Sequence, residues 1–292
     1  MPTNAKLNKA RNAKNDEFYT KLEDVSKELK HYREHFKDKI VFCNCDDPKW
    51  SAFWRYFHLN FSALGLTKLI STHYDKKDPT YKMEYIGGDD TNIDAGVKTP
   101  LEGNGDFRNK ECLDLLDEAD VVVTNPPFSL FREYVAALMK HEKKFLIIGN
   151  VNAITYKDFF PSLKNDDVRI GYNNPSEFDT PNGLTKKVQG RWFTNLGIAK
   201  RNEKLVLRKK YDPEEYPRYD NYDAINVNKL SDIPVDYDGV MGVPITFMDK
   251  YDPDQFEIIG LERYTVPKEF LVGGRFAING KRKYARILVR PR

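Results

Sequence analysis

Two hydrophobic periods alternate along the first half of the chain. Leu22, Val25, Leu29, Tyr32, His35 and Phe36 recur at three-to-four spacing, which predicts a helix through about residue 36. Thr20 with Glu23 fits a capping box at its start. Lys39–Cys45 reads as a strand that ends at Asp46-Asp47-Pro48. An aromatic-rich helix follows over Lys49–Leu59, with Asp47 as N-cap and Pro48 as its first residue. Leu69–Thr72 predicts a second strand, ending at His73-Tyr74-Asp75. Residues 75–104 are polar and glycine-rich, a loop with a short hairpin around Tyr81–Ile86. Cys112–Leu116 is helical, and Val121–Val123 is a run of three β-branched residues, the mark of a strand buried on both faces. Ser129–His141 places Leu130, Phe131, Tyr134, Val135 and Leu138 on one helical face, and Phe145–Gly149 is another buried strand. Strand and helix thus alternate from residue 20 to 150, which predicts an α/β fold with a doubly wound sheet.

Beyond residue 150 the pattern loosens. Val168–Gly171 predicts a strand, residues 173–183 a loop, and Leu205–Leu207 and Phe256–Gly260 further strands. Arg275–Ile278, Asn279-Gly280 and Lys281–Tyr284 form a hairpin signal, because Asn-Gly suits a type I′ turn. A last strand covers Tyr284–Arg290. The expected organisation is a basic arm over residues 1–14, a main α/β domain over 15–207 and a smaller C-terminal region over 208–292.

Composition narrows the function classes. Hydrophobic residues make up 40% and aromatics 13% of the 292 residues, enough for a sizeable core. The net charge of +3 means that a nucleic-acid surface must be a local patch. The three cysteines, Cys43, Cys45 and Cys112, complete no metal-site spacing, and free thiols in a reducing cytoplasm are expected. With no apolar run of about 18 residues and no signal-peptide pattern, a soluble cytoplasmic protein is expected.

The chemistry concentrates where Val121–Val123 stops. Asn125-Pro126-Pro127-Phe128 contains two successive prolines, which fix φ twice and remove two N–H donors. The loop is stiff, rich in carbonyl acceptors and set at the C-terminal end of a strand, where open α/β sheets bind ligands. Acceptors beside the flat face of Phe128 suit a planar ring with an amino group; a plain Asn-Pro turn with a core phenylalanine is the competing reading. The first strand–helix turn carries Asp46 and Asp47 in place of the glycines of a dinucleotide-binding loop. Phosphate would meet like charge there, so a ligand with hydroxyls or positive charge fits better.

These motifs together resemble the family of S-adenosylmethionine-dependent DNA adenine-N6 methyltransferases typified by the EcoRI modification methylase. Asn15-Asp-Glu-Phe-Tyr-Thr20, Ile40-Val-Phe-Cys-Asn-Cys-Asp-Asp-Pro48, Asn125–Phe128 and Gly242-Val-Pro-Ile-Thr-Phe247 carry the resemblance. It implies a Rossmann-like methyltransferase sheet with helices on both faces and a C-terminal target-recognition region, in the gamma motif order. It implies that Asn125, Pro126, Pro127 and Phe128 act on the target base, Asn125 and the Pro126 carbonyl accepting the N6 hydrogens while Phe128 stacks. Trp192 or Phe193 would close the other side of a flipped-out adenine. S-adenosylmethionine would be held by Phe18, Tyr19 and Thr20, by Asn44 or Asp46 with Asp46 preferred, by Asp75 at the ribose, and by Asp106 and Phe107 at the adenine. Lys186, Lys187 and Arg191, and the hairpin cations Lys281, Arg282, Lys283 and Arg286, would grip double-stranded DNA, and Arg290 extends that basic cluster. A cognate restriction endonuclease is an implied partner, and no metal is implied. The alternatives are methylation of RNA adenine or of a protein glutamine, or a non-catalytic DNA-binding protein on the same scaffold. Glutamine methylases usually carry Asn-Pro-Pro-Tyr, and the basic hairpin favours nucleic acid.

Overall fold

A computed structural model describes residues 18–75, 78–180, 183–199 and 203–292. The basic arm and the Asn15–Glu17 part of the first motif lie outside these residues. By internal contacts the chain divides into two compact units, residues 1–151 with 170–198, and residues 152–169 with 199–292. The division differs from the expected cut at 207/208: the second unit begins earlier and includes a segment from the middle of the chain.

The first unit is built on an eight-stranded mixed sheet. Its centre is parallel. There β2 (Ile40–Cys43) lies between β3 (Lys68–His73) and β6 (Val121–Thr124), and β6 continues to β7 (Lys144–Asn150). β6 is buried at every position, as its valine run predicts. β4 (Tyr81–Tyr85) and β5 (Val97–Pro100) extend one side antiparallel, and β11 (Gly190–Thr194) pairs antiparallel with β7. With the short β8 (Arg169–Ile170) at the end, the order is β5-β4-β3-β2-β6-β7-β11-β8. The chain leaves β2 for β3, then crosses back to β6 on the other side of β2. That reversal makes the gap between β2 and β6 a topological switch point, where α/β sheets open a crevice at the carboxyl ends of their strands.

The helices α1 (Leu22–Leu29), α2 (Ala52–Leu59), α3 (Lys110–Glu118) and α4 (Phe131–Lys140) follow the predicted apolar faces. Two starts differ from expectation. Lys21, not Thr20, is the N-cap of α1, with no side-chain cap. α2 begins at Ala52, capped by Ser51, whose hydroxyl accepts from the N–H groups of Phe53 and Trp54. Asp47 instead closes the turn before it, its backbone carbonyl accepting from Ser51 N at 2.8 Å. A small three-stranded sheet joins β1 (Tyr19–Thr20), β9 (Glu177–Asp179) and β10 (Thr185–Lys187), so the stretch 173–183 is not all loop.

The second unit carries a five-stranded sheet of β12 (Arg218–Tyr219), β13 (Tyr222–Asn226), β14 (Met241–Pro244), β15 (Phe256–Leu261) and β18 (Arg286–Pro291). β18 lies between β14 and β15 and pairs antiparallel with both. A separate hairpin joins β16 (Ala277–Ile278) to β17 (Lys281–Arg282). Asn279 and Gly280 have φ of 52° and 69°, positive at both central positions as a type I′ turn requires. Residues 205–207 form no strand.

Candidate active site

A cavity of about 240 Å³ opens at the switch point. Its walls come from the ends of the three strands that flank the crevice: Cys45–Asp47 and Trp50–Phe53 after β2, His73–Asp75 after β3, and Asn125, Pro127, Ser129 and Leu130 after β6. Phe18–Thr20 and Gly105–Arg108 complete the lining.

The turn after β2 does without glycine by using a side chain. Cys45 sits in the left-handed region at φ 68°. The Asn44 carboxamide oxygen supports it, accepting from Cys45 N and from the Thr72 hydroxyl, each at 3.0 Å. Asn44 is therefore buried and turned away from the cavity, which removes it from the candidate ligand contacts. Asp46 faces the cavity. Its carboxyl accepts the Ser51 hydroxyl at 3.0 Å, meets the Thr124 hydroxyl and accepts the Asn125 backbone N–H. Burial nevertheless outweighs these donors and pushes its pKa up to about 7. Asp47 accepts Tyr81 Oη–H at 2.8 Å and pairs with His73 Nδ1 at 2.9 Å.

Asn125 is held in one orientation. Its Nδ2 donates to the Phe18 carbonyl and to Thr20 Oγ1, the latter at 3.2 Å. Its Oδ1 is buried with no hydrogen-bond partner. An unpaired buried acceptor costs stability and calls for a reason. Phe128 is half-buried, its ring 5.2 Å from Phe18 and 6.1 Å from Phe178. Pro126 is buried, and neither Pro126 nor Phe128 is among the residues that line the cavity.

At the far wall Gly105 has φ +72°, and a Cβ there would meet the His73 carbonyl at 2.3 Å, so the 104–106 loop can lie directly against the end of β3. Asp75 N donates to Asn104 O at 3.2 Å across this junction. Both carboxylate oxygens of Asp106 accept from the Arg108 side chain, at 2.8 and 2.6 Å, and Oδ1 also accepts the Arg108 backbone N–H at 3.0 Å. Phe107 packs edge-on to Tyr134.

The structure thus gathers Phe18, Tyr19, Thr20, Asp46, Asp75, Asp106, Phe107, Asn125 and Pro127 around one cavity. Other expected site residues fall elsewhere. Trp192 and Phe193 lie in β11 and are 0% exposed, packed against Phe53 and Phe131. A ring with no exposed face cannot stack on a base, so the expected second plate is not there. Arg191, 8% exposed, donates to the Gly190 carbonyl inside the unit and is no surface cation. Arg286 is 6% exposed, its guanidinium taken by Asn226 and Asn228 at 3.2 Å. Lys186, Lys187, Lys281 and Arg282 are exposed and Lys283 half-exposed. Sequence reasoning gave no site role to Ser51, Thr124, His73 or Tyr81; His73 left a trace as the end of the second predicted strand, two residues before Asp75.

The family described as adenine-specific methyltransferase EcoRI matches residues 6–292, and the chain belongs to it. It is 44% identical to the type II methyltransferase M.EcoRI of Escherichia coli, over 99% of this chain and 97% of that protein. It is 38% identical to M.MgeORF184P of Mycoplasma genitalium, over 97% and 98% of the two chains, and 35% identical to M.MpnI of Mycoplasma pneumoniae, over 98% of each. Both are also named type II methyltransferases. No solved structure matches the chain. Among the described residues no helix is long and apolar enough to cross a membrane, and no group of three acidic, histidine or cysteine side chains is placed to hold a metal ion.

Proposed function

We propose that this methyltransferase moves a methyl group from S-adenosylmethionine to the N6 amino group of an adenine flipped out of duplex DNA, at a specific site. The observation that carries this reading is Asn125: an amide whose NH₂ is pinned by Phe18 and Thr20 and whose oxygen is buried and unpaired. Adenine N6 is a poor nucleophile because its lone pair is delocalised into the ring. Asn125 Oδ1 and the Pro126 carbonyl accept its two hydrogens and turn the lone pair toward the incoming methyl. The gain is positional and electrostatic, with no covalent intermediate. Such a pocket requires the base to leave the stack, and Phe128 provides a flat face beside the loop.

The cavity residues fit the proposed donor. Asp46, Asp47, Asp75 and Asp106 line it against Arg108 and His73, an excess of carboxylates that suits a cation and repels phosphate. Asp46 would hold the methionine ammonium, and Asp106 and Phe107 the adenine. Bound there, the donor supplies an electrophilic methyl on a sulfonium. The exposed Lys281 and Arg282 of the hairpin, with Lys283 beside them, would contact phosphates, which position the duplex without reading it.

The test is transfer of labelled methyl to unmethylated duplex DNA, followed by nucleoside analysis. The expected label is in N6-methyladenine alone. Label in RNA or protein, or in none of them, overturns the proposal. Asn125→Ala should reduce transfer by at least about a hundredfold, as loss of a well-placed polar group at a reacting centre does, while binding of S-adenosylhomocysteine persists.

A further inference from the structure

Glu28 and Glu262 are both 0% exposed, and their surroundings differ. Glu28 accepts from four donors at 2.7–3.0 Å. Glu262 stands in the helical turn that follows β15 and has one close partner. Its Oε1 lies 3.0 Å from Arg275 Nη1, and its Oε2 is buried with no hydrogen-bond partner. Burial pushes its pKa up to about 7 even with Arg275, Arg263 and Arg286 nearby. A buried carboxyl so sparsely satisfied is a poor stabiliser, so its place calls for another reason. Arg275 supplies one, because it is fixed at both ends. Val272 and Arg275 exchange backbone hydrogen bonds at 2.9 and 3.3 Å around Gly273 and Gly274, whose φ of 57° and 78° suit a type I′ turn. Asn221 braces this turn: Nδ2 donates to the Phe270 and Arg275 carbonyls at 2.6 and 3.3 Å, and Oδ1 accepts from Ala277 N at 3.1 Å. At the far end Glu262 holds one guanidinium nitrogen, while the Arg275 side chain stays 24% exposed. The segment around it suits a nucleic acid. Residues 263–292 hold a single acidic residue, Glu269, and Phe270 and Tyr284 are 60% and 86% exposed.

We propose that Arg275, aimed by Glu262, reads the edge of a guanine in the target duplex and so sets sequence preference. This rests on the reading of the chain as a methyltransferase of duplex DNA. A phosphate asks only for positive charge, which the exposed Lys281 and Arg282 supply, and an arginine facing a carboxylate is the weaker anchor for it. A base edge asks for donors held in one geometry. A guanidinium carries five N–H groups in a rigid fork, and two of them can meet guanine O6 and N7 while another is held by a carboxylate. Arg275 is the contact, and Glu262 is the positioning residue.

The test is methyl transfer by the full chain at about pH 8, where the Glu262 carboxyl is mostly ionised. Sequencing of methylated random duplexes first defines the preferred site. Each base pair of that site is then changed in turn, and each guanine is replaced by 7-deazaguanine, which lacks the N7 acceptor. At one guanine the wild type should lose about ten- to a hundredfold in kcat/KM, as a bidentate contact does. Arg275→Gln should lose that preference and keep the others. Arg275→Lys keeps the charge without the fork and should not restore it. Glu262→Gln should blunt the same preference, whereas Lys281→Gln should weaken transfer evenly across sequences; thermal melts verify folding. Even losses over all duplexes in both Arg275 variants overturn the proposal. So does a wild-type chain indifferent to 7-deazaguanine at every position, a result that needs no variant to fold. If the wild type methylates duplex DNA with no sequence preference, this proposal falls and the methyl-transfer reading stands. If it methylates no duplex DNA, both fall.

Discussion

Thr20 separates two accounts of the N-terminal motif. By resemblance it belongs to the cofactor contacts; by geometry its Oγ1 accepts from Asn125 Nδ2 at 3.2 Å. Thr20→Val removes the hydroxyl and keeps the β-branched shape that suits β1. One hydrogen of the Asn125 amide then loses its partner, at a cost of about 1–3 kcal/mol for a buried donor. The Phe18 carbonyl still holds the other, so the amide is loosened and not freed, and the effect should fall toward the low end. At about 1.4 kcal/mol per tenfold, the methyl-transfer rate should drop about tenfold. Single-turnover transfer with saturating donor and DNA isolates that step. S-adenosylhomocysteine affinity should stay within about twofold of wild type, and Thr20→Ser should restore the rate. A variant with a normal single-turnover rate but tenfold weaker ligand binding would refute the positioning argument and return Thr20 to the cofactor.

Further outcomes are expected at other positions. Asp46 titrates near 7 in the folded chain against an ordinary 3.8, because burial raises it, so its contribution to stability is intact below the lower value and lost as pH rises through the higher one. In urea unfolding, Asp46→Asn should therefore gain relative to wild type between pH 5 and 8. The same variant should lose the decline in S-adenosylhomocysteine affinity expected of the wild type below about pH 7. Glu28 is buried in α1 and accepts from Tyr172 N, Asn173 N, Asn173 Nδ2 and Tyr32 Oη at 2.7–3.0 Å; Glu28→Ala should cost about 3 kcal/mol or more in urea unfolding, since several buried donors are left unpaired. Replacing Lys281, Arg282 and Lys283 with glutamine should flatten the salt dependence of DNA binding by about 0.9 for each phosphate no longer neutralised, whereas Arg286→Gln should lower the melting temperature instead.

What the sequence disclosed, and what it hid, follows from the range of the forces involved. The β6 run, the proline-stiffened loop after it and the Asn279-Gly280 turn were legible because each is fixed within a few residues, by β-branching, by ring-locked φ or by a turn that needs positive φ. The misread positions are those where a local rule and a distant partner compete for one side chain. Thr20 satisfies a capping-box spacing, but Asn125 lies 105 residues away and takes its oxygen. Asp47 has the composition of an N-cap, but Ser51 caps α2 and leaves Asp47 to His73 and Tyr81. Trp192 and Phe193 have the character of a stacking pair, but β11 pairs with β7 and draws both into the core.

That last displacement bears on where a base could be gripped. With β11 closed off, the most exposed aromatic rings on the cavity wall, among the described residues, are Tyr19, 38% exposed, and Trp50, 63% exposed. Tyr19 stands in β1 between Phe18 and Thr20, the two residues that fix the Asn125 amide. A ring on that strand is tied through the backbone to the acceptor that would meet the amino group. Trp50 follows the Asp46-Asp47 turn and is tied instead to the carboxylates that favour a cation. The two exposed rings thus belong to different ends of the proposed chemistry: Tyr19 stands on the strand that anchors the Asn125 amide, and Trp50 beside the carboxylates.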